Sequence, residues 1–460
     1  MDRAHHEPAP RGAAAPDQPL RPGTVIELPI EDLTSEGDGV GRHGGWVVFV
    51  PGAVPGDRAA VQVRRLRRRH VEARLVRLVV PSRQRREPPC PHQPACGGCP
   101  LMVLDEGAAL SLKVRHLEET LRRIGRVALP VERAVASPRG LEYRGRVTFA
   151  VVPRGSGGTF GYHPRGRFDS IVPVERCRLA PPRASEIARS LLDALDRGTA
   201  RQRDVPWPER LSLRGSLATE RWLAVLHTRA GAWPEAHAIA ADALRAHGDL
   251  AGVVRLVEEG FEPEAVLLAG QDSVVERIAG IEVELGATTF LQVNPATAEL
   301  LYDEVRALLE RPGPGRLLDL FCGVGLVGLV ASGPGQRVLG IESHAATAER
   351  GRRAAHRAGR DDVQFVVGDA LLKSRELLAR GERFDRVVAN PPRAGLGPGL
   401  PPVLRDLGAE VLVVISCHPA TLARDLVSLR DAGFEPDIAS AFDMFPQTPH
   451  LEAVVRLCRA

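Results

Sequence analysis

In VLVVIS-Cys417-HPATLARDL, a run of six strand-forming residues ends directly at a cysteine, and a helical stretch begins just after it. A thiol in that position lies at the C-terminal end of a strand, where open α/β sheets keep their ligand cleft. The nearby helix N-terminus is expected to lower its pKa and favour the thiolate. A thiolate so placed is a nucleophile for covalent catalysis, the alternative being a buried structural cysteine. Glu452 stands at the start of the strand-like run EAVVRLC. It is a candidate base, or else a plain surface carboxylate.

Four polar residues mark the ends of other apolar runs. Asp319 is near the end of RLLDL, which leads into FCGVGLVGL, a glycine-containing turn that opens a helix. Glycines there let the backbone approach a ligand closely. Glu342 closes RVLGIE, Asp369 follows VQFVVG, and Asn390-Pro391-Pro392-Arg393 follows RVVA. An acid at the end of the second strand suits the ribose hydroxyls of either NAD or S-adenosylmethionine. Asp369 can accept from an adenine amino group or simply cap the following helix. The Asn-Pro-Pro-Arg turn separates the two cofactors, because it sits where a methyltransferase presents the methyl group of S-adenosylmethionine. A dehydrogenase would leave Cys417 without a task.

Cys90, Cys96 and Cys99 form C-x5-C-x2-C, with Gly97-Gly98 allowing a tight wrap, and Cys177 is a fourth candidate ligand farther along. Four thiolates suit Zn²⁺ or a [4Fe–4S] cluster, and the spacing leaves both open. Seven cysteines, an odd number, argue against a disulfide framework. The pattern is not the C-x3-C-x2-C of radical enzymes.

These residues need several elements to position them. At 460 residues the chain is too long for one ordinary core. Residues 1–22 read as a Pro/Ala-rich disordered tail. Residues 23–80 hold short strands between glycine-rich turns, the pattern of a small β-barrel. Residues 81–287 read as a mixed α+β central domain, with helical stretches in LDEGAALSLKVRHLEETLRRIG and around Ala184–Asp196; from about Gly198 to Gly260 no motif is legible. Residues 288–460 alternate apolar strand runs with helices, the rhythm of an α/β, doubly wound, Rossmann-like parallel sheet. The net charge is only +4, yet Arg64–Arg77 is strongly basic. That stripe suggests a polyanionic partner or a solvated strand face. No apolar run is long enough to cross a bilayer and no secretory leader is evident, so a cytoplasmic location away from membranes is expected. Nothing points to an obligate protein partner.

GDGVGRHGGWVVFVPGAVPGDRAAVQV, followed by basic strands, resembles the TRAM domain, a small RNA-binding barrel. SCHPATLARDL and DMFPQTPHLEAVV closely resemble the RNA uracil-C5 methyltransferase family, which makes 5-methyluridine in tRNA and ribosomal RNA. FLQVNP, DLFCGVG and NPPRAG stand in that family's order. The resemblance implies a class I methyltransferase domain that uses S-adenosylmethionine, with Cys417 as nucleophile adding to C6 and Glu452 as the base that removes the C5 proton. It places Gln292, Phe321, Glu342, Asp369 and Asn390 among the cofactor-site residues. It favours [4Fe–4S] over zinc on Cys90, Cys96, Cys99 and Cys177, and 23S ribosomal RNA over tRNA as substrate. Two positions depart from the family: Asn390 replaces the usual Asp, and Leu326 stands where a polar residue is common. They raise the alternative of an RNA-binding or assembly protein that has lost turnover.

Overall fold

A computed structural model describes residues 20–152, 155, 157–199, 204–259, 263–310, 315–333 and 335–460. The expected disordered tail lies almost wholly outside the described residues. The chain forms two compact units: one comprises residues up to 94 with 99–112 and 447–449, the other residues 95–98, 113–446 and 450–460.

The first unit is built on β1 (Val25–Leu33), β2 (Gly39–His43), β3 (Trp46–Val50), β4 (Arg58–Leu66) and β5 (His70–Val80), closed into a barrel in the order β1-β2-β3-β5-β4. Closure removes free strand edges. Inward residues of alternating strands, among them Ile26, Leu28, Ile30, Val48, Val50, Val61 and Val63, fill the interior. Gly41 sits where β1 passes so closely that a Cβ would strike Leu28 and the Pro29 carbonyl. Buried Asp57 accepts from the amides of Val54 (2.7 Å) and Ser82 (2.8 Å) and pairs with Arg85 (2.7 Å), pinning the strand junction. The basic stripe lies on the outer surface, where Arg64, Arg65, Arg68, Arg69 and Arg74 are exposed.

The second unit contains most of the remaining chain. After α1 (Glu106–Arg123), which begins in the first unit, come β6 (Val131–Val135), β7 (Arg146–Val151), β8 (Phe160–Tyr162), β9 (Val172–Pro173), α2 (Pro182–Gly198), β10 (Arg210–Gly215), β11 (Trp222–Thr228), α3 (Ala236–Ala246), β12 (Leu250–Val257) and β13 (Glu264–Gly270). Seven of these strands form a sheet in the order β13-β12-β11-β10-β7-β8-β9. Its Val147, Phe149, Leu211 and Leu213 face pack against the apolar sides of α2 and α3. A hairpin, β14 (Ser273–Ile278) and β15 (Ile281–Gly286), follows.

The class I methyltransferase fold comes last: α4 (Pro295–Leu309), β16 (Arg316–Leu320), α5 (Leu326–Ala331), β17 (Arg337–Glu342), α6 (Ala345–Arg357), β18 (Val363–Val367), α7 (Ala370–Ala379), β19 (Arg386–Ala389), α8 (Leu400–Asp406), β20 (Val411–Ser416), α9 (Pro419–Asp431), β21 (Phe434–Phe442) and β22 (Glu452–Arg459). The sheet order is β18-β17-β16-β19-β20-β22-β21-β6. Strands β16 to β20 are parallel, and β22 pairs antiparallel with β20. Alternate residues feed two apolar layers, Leu317, Val338 and Val413 on one side and Leu318, Ile341 and Leu412 on the other. The chain runs outward through β17 and β18 and returns beside β16 as β19, so the switch point lies between β16 and β19. Ligands bind outside the carboxyl ends of strands at such a point. The segment expected as one central domain is divided: 99–112 belongs with the barrel unit, whereas β6 extends the methyltransferase sheet by pairing with β21.

Candidate active site

At the switch point the first turn is shaped by left-handed backbone. Phe321 (φ 57°), Gly323 (φ 57°) and Gly325 (φ 76°) reverse the chain between β16 and α5. A non-glycine residue there costs on the order of 1 kcal/mol, which the surrounding packing must offset. A Cβ on Gly323 would meet only open space, so the turn leaves a cradle above the strand ends. Glu342 accepts from the Gly323 amide (2.9 Å) and the His344 amide (2.8 Å), which ties the ends of β16 and β17 together. Asp319 is buried, and its Oδ2 accepts from the Gly328 amide (2.9 Å). Its Oδ1 has no partner among the described residues. Burial, with the charge of Glu342 added, pushes its carboxyl up to about 7 despite the Gly328 amide. A buried acceptor without a donor beside an open glycine turn fits a polar ligand such as S-adenosylmethionine.

Asp369 is exposed and caps α7 by accepting from the Leu372 amide (2.9 Å). Asn390, just after β19, donates its main-chain N–H to the Leu320 carbonyl (3.3 Å), across the switch point. Leu326 is buried at the start of α5 within the core, so its lack of a polar group serves packing. A cavity of about 990 Å³ lies at the opposite edge, by Arg316, Arg337 and Arg386, and none of these site residues lines it.

Beside this site stand the two residues expected to act on a base. Register pairs Ser416 of β20 with Ala453 of β22, so one step further Cys417 faces Glu452. Cys417 is half-buried, and His418 caps α9 by accepting from the Thr421 amide (3.2 Å). The expected lowering of the thiol pKa does not occur. Burial pushes it up, the charge of Glu452 adds to that, and a hydrogen bond with Arg393 only partly opposes them. Glu452 is buried, and burial pushes its carboxyl up to about 8 against a hydrogen bond from Gln292. Gln292, placed by the resemblance with the cofactor residues, therefore meets Glu452. Tyr302 of α4 is raised by burial and by the charge of Glu452, which marks it as a neighbour.

Arg393 was legible as part of Asn-Pro-Pro-Arg, but its partner was not. Its loop is fixed from α9: Thr421 Oγ1 donates to the Arg393 carbonyl (3.1 Å) and Asp425 accepts from the Leu396 amide (3.0 Å). The arrangement joins a thiol, a cation on its sulfur and a buried carboxyl group, at the carboxyl edge of a sheet.

Comparison with known proteins gives these parts a family. Residues 19–76 match the TRAM domain, and residues 277–460 match tRNA (uracil-5-)-methyltransferase. An RNA methyltransferase of Thermosynechococcus vestitus is 32% identical over 458 residues, spanning 95% of this chain and 98% of the relative. The chain belongs to the RNA methyltransferase family of this relative. It is an S-adenosylmethionine-dependent RNA methyltransferase. An RNA methyltransferase of Halalkalibacterium halodurans is 29% identical over 454 residues, with 95% and 98% of the two chains covered. Among solved structures, the tRNA (uracil-54, C5)-methyltransferase of Pyrococcus abyssi, in complex with S-adenosylhomocysteine, superposes with a TM-score of 0.71. It is 26% identical, with 94% of this chain and 100% of that one covered.

In the methyltransferase no disulfide joins any cysteine. Cys90, Cys96, Cys99 and Cys177 are all half-buried. Cys177 hydrogen-bonds with Tyr162, and Cys96 also lies within electrostatic reach of that phenol. Among the described residues, however, no three His, Cys, Asp or Glu side chains are grouped to hold a metal ion. Cys90 and Cys99 belong to the first unit, Cys96 and Cys177 to the second. No described helix is long and apolar enough to cross a membrane.

Proposed function

We propose that the methyltransferase methylates C5 of a uridine in RNA through a covalent bond from Cys417 Sγ to C6 of the base, with Glu452 removing the C5 proton. The observation that carries this reading is that Cys417, one residue beyond β20, lies within electrostatic reach of Glu452, one residue beyond the Ser416–Ala453 pair of the antiparallel β20–β22 ladder. C5 of uracil is too weak a nucleophile to take a methyl group unaided. Addition of the Cys417 thiolate at C6 makes C5 part of an enolate, which is covalent activation. Arg393 steadies the thiolate against its buried surroundings. S-adenosylmethionine, when bound, supplies an electrophilic methyl and leaves as S-adenosylhomocysteine. The Glu452 carboxylate then takes the proton from C5, the C5–C6 double bond re-forms, and the C6–S bond breaks to return the thiolate. Asp319, Glu342, Asp369, Asn390 and the turn at Phe321 would hold the cofactor. Gln292 orients Glu452.

The resemblance favours 23S ribosomal RNA, whereas the Pyrococcus abyssi neighbour acts on uracil 54 of tRNA. Both are arms of one experiment. The enzyme and S-adenosylmethionine are incubated with unmodified 23S rRNA or tRNA transcripts, and digested nucleosides are separated by mass spectrometry. We expect 5-methyluridine in at least one arm, the rRNA first. A methylated nucleoside of another kind overturns the C5 assignment, and binding without any methylation favours a protein that has lost turnover.

The family resemblance and four thiols outside any disulfide support a [4Fe–4S] cluster on Cys90, Cys96, Cys99 and Cys177. Protein purified without oxygen is then brown and contains iron and sulfide in similar amounts. A colourless, folded preparation with one zinc per chain contradicts the iron assignment and retains the ligands.

A further inference from the structure

On one face of the seven-stranded sheet, two arginines lie directly opposite each other: Arg146 of β7 is in register with Arg214 of β10. Like charges facing across a strand pair destabilise it, and burial makes the repulsion worse. Among the described residues, neither guanidinium has a carboxylate partner. Arg214 is buried and gives its donors to main-chain carbonyls, Gly286 (2.6 Å), Ala287 (2.7 Å) and Thr289. Those carbonyls belong to the segment that leads into Phe290-Leu291-Gln292, so Arg214 is spent on fixing the approach to Glu452. Arg146 is half-buried, and its guanidinium has no hydrogen bond or ion pair among the described residues. Burial and the neighbouring Arg210 both disfavour its charge. The arrangement costs stability in the isolated protein and lacks an anion to offset it.

The neighbourhood indicates which anion. β7 alternates half-buried and buried residues, so Arg146 and Thr148 share a face that solvent reaches, while Val147 and Phe149 enter the core. Gly145, next to Arg146, donates its amide to the Val293 carbonyl (2.8 Å), one residue from Gln292. Phe290, on the same active-site segment, is 59% exposed, a large ring open to stacking against a base. The arginine therefore sits beside the segment that carries Phe290 and Gln292.

We propose that Arg146, with Arg214 behind it, is a binding site for a backbone phosphate of the substrate RNA close to the nucleotide being methylated. The site rests on the RNA-substrate reading and adds the contact that holds the strand in place. A guanidinium suits a phosphodiester because it offers paired donors in a rigid fork. Arg214 is a positioning residue, since it acts through the 286–289 segment.

The test measures binding of a fluorescein-labelled, 20-nucleotide, uridine-containing single-stranded RNA by full-length wild type, Arg146→Gln and Arg146→Lys, over a range of salt. Arg146→Gln is expected to weaken binding about tenfold and to flatten the slope of log affinity against log salt by about 0.7, the loss of one phosphate contact. Arg146→Lys should keep the slope, and S-adenosylhomocysteine affinity should stay at the wild-type value in both variants. Equal affinity and equal slope for wild type and Arg146→Gln overturn the site. Should Arg146→Gln fail to fold, wild type and Arg146→Lys are compared on RNAs carrying one neutral methylphosphonate linkage at successive positions. One linkage should then reproduce the loss in wild type, and uniform affinity across all positions overturns the site. A wild-type protein that binds no RNA would instead contradict the RNA-substrate reading itself.

Discussion

Glu452→Gln is expected to stop the enzyme after methyl transfer, with RNA still attached to Cys417. The amide fills the same volume and keeps a partner in Gln292, but it is a very poor base, so the C5 proton remains and the C6–S bond cannot break. Turnover should fall by about 10²–10⁴-fold, the usual contribution of a positioned base. A band of protein plus RNA should survive a denaturing gel and disappear in the double variant with Cys417→Ala. The wild-type pH profile gives a second readout. Glu452 holds its proton to about 8, so kcat/KM should rise with pH through that range as the carboxylate forms. The same raised pKa makes the native state hold a proton that the unfolded chain loses near the ordinary glutamate value. Stability from this group is full below about 4.5 and is lost as pH rises toward 8. Normal turnover by Glu452→Gln, with no trapped adduct, would assign the base to another group.

Cys417→Ala should remove methyl transfer by at least roughly 10⁴-fold, because loss of a nucleophile ends the covalent route rather than slowing it. Affinity for S-adenosylhomocysteine should stay within a few-fold of wild type. The proposed cofactor cradle lies at β16, β17 and the turn at Phe321, whereas Cys417 lies between β20 and α9. Titration calorimetry and methyl incorporation separate the two effects. A variant that loses both would make Cys417 part of the cofactor site or of the core.

The alternation of strands and helices beyond residue 288 was legible because parallel strands, covered on both faces, read as continuous apolar runs such as VLVVIS and RVVA. The same property hid the middle of the chain. β11 is buried along its whole length, but it lies between unreadable loops and an alanine-rich helix, so nothing marked it as a strand. The strand β6, VERAV, carries no local sign that it joins a sheet whose other members begin almost two hundred residues later. In the site, Cys417 and Glu452 could each be seen as lying at a strand end, since that is local information. Their pairing depends on the β20–β22 register, which sequence spacing does not encode. The thiol pKa was misjudged for a related reason: the helix end is visible in sequence, whereas burial and the facing carboxylate are not. Arg393 against the sulfur and Arg146 across from Arg214 are likewise products of tertiary placement.

The most direct test of the covalent mechanism uses an RNA in which uridine is replaced by 5-fluorouridine. With fluorine at C5 there is no proton for Glu452 to remove, so a methylated base should stay bonded through C6 to the enzyme. Protease and nuclease digestion followed by tandem mass spectrometry locates the bond. The account predicts a methylated fluorouridine on the peptide containing Ser416-Cys417-His418, in wild type and not in Cys417→Ala. Recovery of free methylated product with no nucleotide on any peptide, or a nucleotide on a different residue, would contradict it.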